Sequence, residues 1–137
     1  MIIDASVGVK WLIPEEDSAQ ASALIGNRMW VPSLFFSEVA NAIWKKARRG
    51  EVQIALLLPE LSKLKLITQT IDDAAYFERA LVIGNELDHP VYDCLYLAAA
   101  ESLGDTLVTA DKRFLGKVAR SSYVGLVRDL ASGIVAE

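Results

Sequence analysis

Short apolar runs that end in a turn signal alternate along the chain with longer stretches of helical period. Met1-Ile2-Ile3-Asp4 reads as a buried strand, and Met29-Trp30-Val31 as another that Pro32 stops. Residues from about Ser6 to Leu12 and from Asp17 to Gly26 read as helices, with Pro14 between them. From about Leu34 to Arg49 the pattern predicts a strong helix, with Phe35, Val39, Ala42 and Ile43 at helical spacing and Gly50 at its end. A second helix is predicted from about Val52 to Leu64, which Pro59 is expected to kink or divide. Leu66 to Thr70 alternates as a strand, and Asp72-Asp73 opens a helix running to about Glu86. Pro90 opens another from Val91 to Ser102, ended by Gly104. Thr106 to Thr109 reads as a strand, Asp111 as the cap of a helix carrying Phe114, and Tyr123 to Val127 as a last strand. Strands separated by helices predict an α/β fold: a mostly parallel sheet covered on both faces. No linker, repeat or low-complexity tract interrupts residues 1–137, so one domain is expected.

Composition adds an excess to explain. Hydrophobic residues are 53% and charged residues 23% of the 137, which excludes general disorder. That is more apolar surface than the core of so small a monomer readily hides. Within the helical pair from Leu34 to Leu64, the residues Phe35, Phe36, Ile43, Trp44, Leu56, Leu57 and Leu58 cannot all face one core. A homodimer is therefore expected. No run approaches the roughly 18 apolar residues of a membrane span, and MIIDASVGVK does not read as a signal peptide, so a cytoplasmic protein with no membrane association is expected.

The chemistry is bounded by scarcity. One cysteine, Cys94, excludes an internal disulfide and a cysteine zinc site. One histidine, His89, excludes multi-histidine metal sites and reads as a turn residue before Pro90. Polar chemistry then falls to the acids, the bases and the hydroxyls. Four acids stand in apolar company: Asp4 in Ile-Ile-Asp-Ala-Ser, Glu38 in Phe-Phe-Ser-Glu-Val, Asp93 in Val-Tyr-Asp-Cys-Leu, and Asp111 after Leu-Val-Thr-Ala. Singly, each has a bland reading as a helix cap, a first-turn acid or a solvated side chain. Together they ask for pairing or a cation, because carboxylates are seldom buried alone. Asp4 and Asp111 each follow a strand, and open parallel sheets bind ligands beyond those carboxyl ends. Without the four, 14 acids would balance 14 bases in a chain of net charge −4. An oxygen-only cluster suits Mg²⁺ or Mn²⁺ and, with it, metal-dependent phosphoryl chemistry.

The ordered set MIIDAS, PSLFFSEVANAIWKKARRGEV and PVYDCLYLAAAESLGDTLVTADKRF resembles PIN-domain ribonucleases of the VapC toxin type, from the first residue to about Phe114. The resemblance implies a three-layer α/β/α sandwich that cleaves RNA with Mg²⁺ or Mn²⁺ held by Asp4, Glu38, Asp93 and Asp111. It implies that Ser6, Asn41 and Thr109 line the pocket. It also implies a cognate antitoxin, whose C-terminal segment lies along a groove beside the acids and sends a basic side chain toward them. Cys94 departs from the family's usual alanine and reads as an inert thiol. The basic run Lys45, Lys46, Arg48 and Arg49 suits an RNA backbone, an acidic partner segment, or simply the negative end of its helix. Trp11, Trp30 and Trp44 read as core or interface residues rather than base-stacking ones.

Two rival chemistries begin from a strand-end aspartate. A haloacid-dehalogenase-type phosphatase wants a second acid two residues on, where this chain has Ser6. A receiver-like phosphorylation switch wants paired acids after the first strand, whereas Asp72-Asp73 come far downstream. A catalytically inactive PIN-like domain that only binds a partner is the remaining alternative.

Overall fold

A computed structural model describes residues 1–132. Five parallel strands form one sheet in the order β3-β2-β1-β4-β5. They are β1 (Ile2–Ile3), β2 (Trp30–Pro32), β3 (Gln69–Ile71), β4 (Leu107–Thr109) and β5 (Val127–Asp129). Between them run α1 (Ala5–Leu12), α2 (Ser18–Ala23), α3 (Leu34–Arg48), α4 (Ile54–Ile67), α5 (Phe77–Leu87), α6 (Val91–Leu103) and α7 (Lys112–Val118). Helices α1 to α4 pack on one another and α5 packs on α6, which gives the three layers α/β/α. The central strands β1 and β4 are fully buried and apolar but for Thr109 at the end of β4, as parallel strands covered on both faces are.

The chain builds outward from β1 through β2 to β3, then returns to add β4 and β5 on the other side of β1. The reversal lies between β1 and β4. Their carboxyl ends, next to Asp4 and Asp111, are where a parallel sheet leaves a crevice. Close packing of α1 on α3 fixes one wall of that crevice. A Cβ on Gly8 would stand 2.6 Å from the Phe35 ring, so a residue without one is needed there.

Several sequence-derived boundaries need correction. Pro59 does not divide α4; the helix runs through to Ile67, and the Ser62 hydroxyl donates to the Pro59 carbonyl at 2.8 Å. The strand expected over 66–70 therefore shrinks to Gln69–Ile71, because the alternating Leu66 and Ile67 belong to the last turn of α4. Asp72 caps only a single 3₁₀ turn, Asp73–Ala75, and α5 starts at Phe77. The last strand lies at Val127–Asp129, with a 3₁₀ turn over Val124–Leu126 where the strand was expected. No helix among the described residues is long and apolar enough to cross a membrane.

Candidate functional site

Four elements deliver the four singled-out acids to one pocket of about 270 Å³, lined by Asp4, Ser6, Val9, Glu38, Asn41, Lys45, Asp93 and Asp111 among others. Asp4 leaves the end of β1 and caps α1, its Oδ1 accepting the Ser6 N–H at 3.1 Å and the Ser6 hydroxyl at 2.5 Å. Ser6 Oγ in turn accepts the Ala110 N–H at 2.9 Å and lies 3.3 Å from Thr109 Oγ1. Thr109 Oγ1 accepts the Asp111 N–H at 3.1 Å. These hydroxyls stitch the ends of β1 and β4 together. Thr109 itself is fully buried behind Ser6 rather than on the pocket wall.

Each acid has one oxygen held by the protein. Asp111 caps α7, its Oδ1 accepting the N–H groups of Arg113 at 3.0 Å and Phe114 at 3.2 Å. Glu38 Oε1 accepts the Tyr96 hydroxyl at 2.5 Å, a bond from α6 across to α3. Asp93 Oδ2 lies 2.6 Å from Nε2 of His89. The capping reading thus holds for Asp4 and Asp111 at the same time as the convergent one; a cap uses one carboxylate oxygen and leaves the second.

The electrostatics record the crowding. Burial pushes the Asp4 carboxyl up to about 7; the Ser6 and Thr109 hydroxyls oppose this, and the Asp93 charge adds to it. Glu38 is also raised, first by burial, against the Tyr96 hydrogen bond and with the charges of Asp93 and Asp73. Tyr96 is held protonated mainly by burial and then by Glu38, which keeps its hydroxyl a donor. Burial and the nearby Asp93 raise the Cys94 thiol to about 11, consistent with an inert packing residue. This oxygen-only donor set fits a hard divalent cation, which would relieve the repulsion that now favours protonation. The site is an open basin rather than a closed cage: among the described residues no three His, Cys, Asp or Glu side chains converge tightly enough to hold an ion by themselves. Magnesium, which keeps several waters, tolerates such a basin.

The basic run separates into different roles. Lys45 alone lines the pocket. Lys46 lies 3.2 Å from Glu15 and 3.7 Å from Glu51, and Arg49 lies 3.1 Å from Glu51. Arg48 stacks 4.9 Å over the exposed Trp44 ring. Trp11 is half-buried and donates Nε1–H to the Ala21 carbonyl at 2.7 Å, and Trp30 is half-buried in β2. Sequence reasoning assigns three residues no part near the acids: Tyr96; His89, expected as a turn residue; and Asp73, expected to open a helix, whose Oδ2 accepts the Leu34 N–H at 3.0 Å at the start of α3. Tyr96 and His89 had a usable signal. They stand three and four residues from Asp93, on its own helix face and on the turn leading into it.

Comparison with known proteins follows the same lines. The PIN domain family model matches residues 1–120. Ribonuclease VapC3 of Pyrobaculum aerophilum is 31% identical over 122 residues, covering 85% of this chain and 93% of the relative. VapC ribonuclease Mb0985 of Mycobacterium bovis is 32% identical over 114 residues, covering 82% and 87%. The crystal structure of PAE2754 from Pyrobaculum aerophilum superposes with a TM-score of 0.74 at 28% identity, over 96% of this chain and 83% of that one. A toxin-antitoxin complex from Klebsiella pneumoniae shares the fold, at a TM-score of 0.63 and 15% identity over 94% and 96% of the two chains. With nearly nine-tenths of its length matched by the family model, the chain belongs to the PIN-domain family and is of the VapC type.

Proposed function

We propose that this protein is the ribonuclease toxin of a type II toxin-antitoxin pair, an endoribonuclease that depends on Mg²⁺ or Mn²⁺. The observation that carries the reading is the convergence of Asp4, Glu38, Asp93 and Asp111, from four separate elements, on one pocket in a chain similar to VapC ribonucleases. A divalent cation there supplies neutralisation of the charge that builds on the phosphoryl oxygens, together with a more acidic water. The residues of the chain do the rest. Asp4, Asp93, Glu38 and Asp111 would hold the cation, with waters completing its shell. Ser6 and Thr109 fix Asp4 and Asp111 in mutual register. Asn41 and Lys45, three and seven residues beyond Glu38 on α3, stand where an incoming phosphate arrives. Lys46, Arg48 and Arg49 are already engaged and contribute to the general field rather than to a single contact.

A cognate antitoxin and a homodimer belong to the same reading. A second cavity, of about 350 Å³, opens one turn further along α1, between Leu12, Ile13, Pro14 and the Val52–Leu57 segment. Its apolar wall suits a partner segment whose basic side chain reaches the acids. Exposed Trp44, Leu56 and Leu58 support self-association, while Phe35 and Ile43 are buried and Phe36 and Leu57 half-buried.

Incubating the purified chain with linear and circularised RNA, with Mn²⁺ or with chelator, tests the reading. Cleavage of both RNAs in Mn²⁺ and of neither in chelator is expected. Another relative, named Exonuclease VapC9 and matched over 58% of this chain, makes the circular substrate informative: an intact circle beside a shortened linear RNA would replace endonuclease by exonuclease. Cleavage undiminished by chelator would remove the cation.

A further inference from the structure

We propose that His89 is a positioning residue for Asp93, holding one carboxylate oxygen so that the other is presented to the pocket. The role rests on the reading of the pocket as a divalent-cation site. His89 is buried, 8% exposed, and its ring packs on Phe114 with centroids 5.0 Å apart. Nε2 lies 2.6 Å from Asp93 Oδ2. A carboxylate only accepts, so the proton in that bond sits on Nε2. Nδ1 is buried with no partner among the described residues. The one polar side-chain bond this ring makes among the described residues is therefore the one to Asp93.

The turn that delivers His89 is fixed by backbone. Asp88 takes a left-handed conformation, φ 51°, and the His89 N–H donates to the Gly84 carbonyl at 3.0 Å. The His89 carbonyl oxygen lies 2.9 Å from where a Cβ on Gly84 would stand, so the approach needs glycine. The ring therefore meets Asp93 from a rigid support. Ser6 does this for Asp4, Tyr96 for Glu38 and two α7 amides for Asp111. His89 completes the set, and Asp93 Oδ1 has no protein donor among the described residues.

Partners that orient a ligating group typically change metal affinity about 10–100-fold when removed. Calorimetric titration of the full chain with Mn²⁺, without RNA, reads this directly. His89→Phe keeps a ring against Phe114 and removes the donor, so Mn²⁺ binding is expected to weaken about 10–100-fold. His89→Gln keeps an N–H near the Nε2 position and should restore most of the affinity. Excess Mn²⁺ should rescue RNA cleavage by His89→Phe. In the metal-free protein, ¹⁵N NMR should place the ring proton on Nε2, with a shift that changes in Asp93→Asn. Should His89→Phe fail to fold, the glutamine variant and the NMR signature decide. Wild-type affinity in His89→Phe, a folded His89→Gln as weak as the phenylalanine variant, or a proton on Nδ1 overturns the role of His89 alone. A wild-type protein that binds no Mn²⁺ overturns the cation reading of the pocket and this role with it.

Discussion

Helices α4 and α6 are both rich in apolar residues and have opposite fates. In α6, every residue from Cys94 to Ala100 is buried, because the helix lies against β1, β2 and β4 on one side and α5 on another. In α4, Leu64 is the one fully buried residue; Leu56 is 70% exposed and Leu66 82%. Composition does not separate them. What does is the order of residues: α6 runs from Cys94 to Ala100 without a charge, whereas a glutamate and two lysines interrupt the leucines of α4. The lesson concerns Asp93. A carboxylate on the first turn of a helix buried from Cys94 to Ala100 is placed by the core, whereas the charges of α4 face solvent.

The sharpest way to break this contrast is to alter the polar exception in α6. Asp93→Asn keeps volume and removes the charge a cation needs, so RNA cleavage should fall by ~10²-fold or more, comparable to losing a preorganised electrostatic group elsewhere. Circular dichroism should show the fold unchanged. Full activity in this variant would remove Asp93 from the site.

Core packing gives the next largest effect. Leu97 is fully buried on α6, and Leu97→Ala should cost about 2–5 kcal/mol in urea unfolding. A cost near zero would mean that α6 is not packed as described.

A smaller effect is expected from pH. The Asp4 carboxyl is raised to about 7 from its ordinary 3.8, so the folded, metal-free protein binds this proton more tightly than the unfolded chain does. The resulting stabilisation is fully present below about pH 4 and is lost as pH rises through about 7, up to about 4 kcal/mol in all. Asp4→Asn keeps the cap on α1 and has no such proton to lose. In chelator, its urea midpoint should fall less than that of the wild type between pH 4 and 7, the remaining fall coming from the raised Glu38. Parallel curves for the two would place the burden elsewhere.

Which parts were legible in the sequence follows from the same physics. Asp4, Glu38, Asp93 and Asp111 stood out because acids in apolar runs are rare, and all four line one pocket. The α/β alternation was legible because buried parallel strands and amphipathic helices differ in period. Residues 66–70 misled because alternation over so short a span also fits the end of a helix, and α4 continued through them. Pro59 misled because an exposed helix can tolerate one missing amide bond. Tyr96 and His89 were only half legible: their spacing from Asp93 marks both as neighbours of an acid, but the Tyr96 bond to Glu38 joins residues 58 apart in sequence. No local pattern encodes that pairing.

The smallest effect on stability belongs to α4, and it is the most informative about assembly. Leu56 and Leu66 bury little in the chain itself, so Leu56→Ser and Leu66→Ser should each change unfolding free energy by within about 0.5 kcal/mol, as surface substitutions do. Their effect should appear in mass instead. An apolar surface that excludes water on self-association loses affinity when a polar hydroxyl replaces a leucine at its centre. Light scattering across a concentration series should give a dimer for the wild type and a shift toward monomer for at least one of the two variants. A monomer in every case would leave these leucines to a different protein's surface, with the proposed antitoxin as the occupant to test by co-purification. A dimer in every case would move the self-association surface away from α4, toward exposed Phe77 and Leu81 on α5. The contrast between the helices would then hold inside the chain while failing at its borders: α4 would be exposed without being an interface, and its leucines would need only the ordinary tolerance of protein surfaces for apolar atoms.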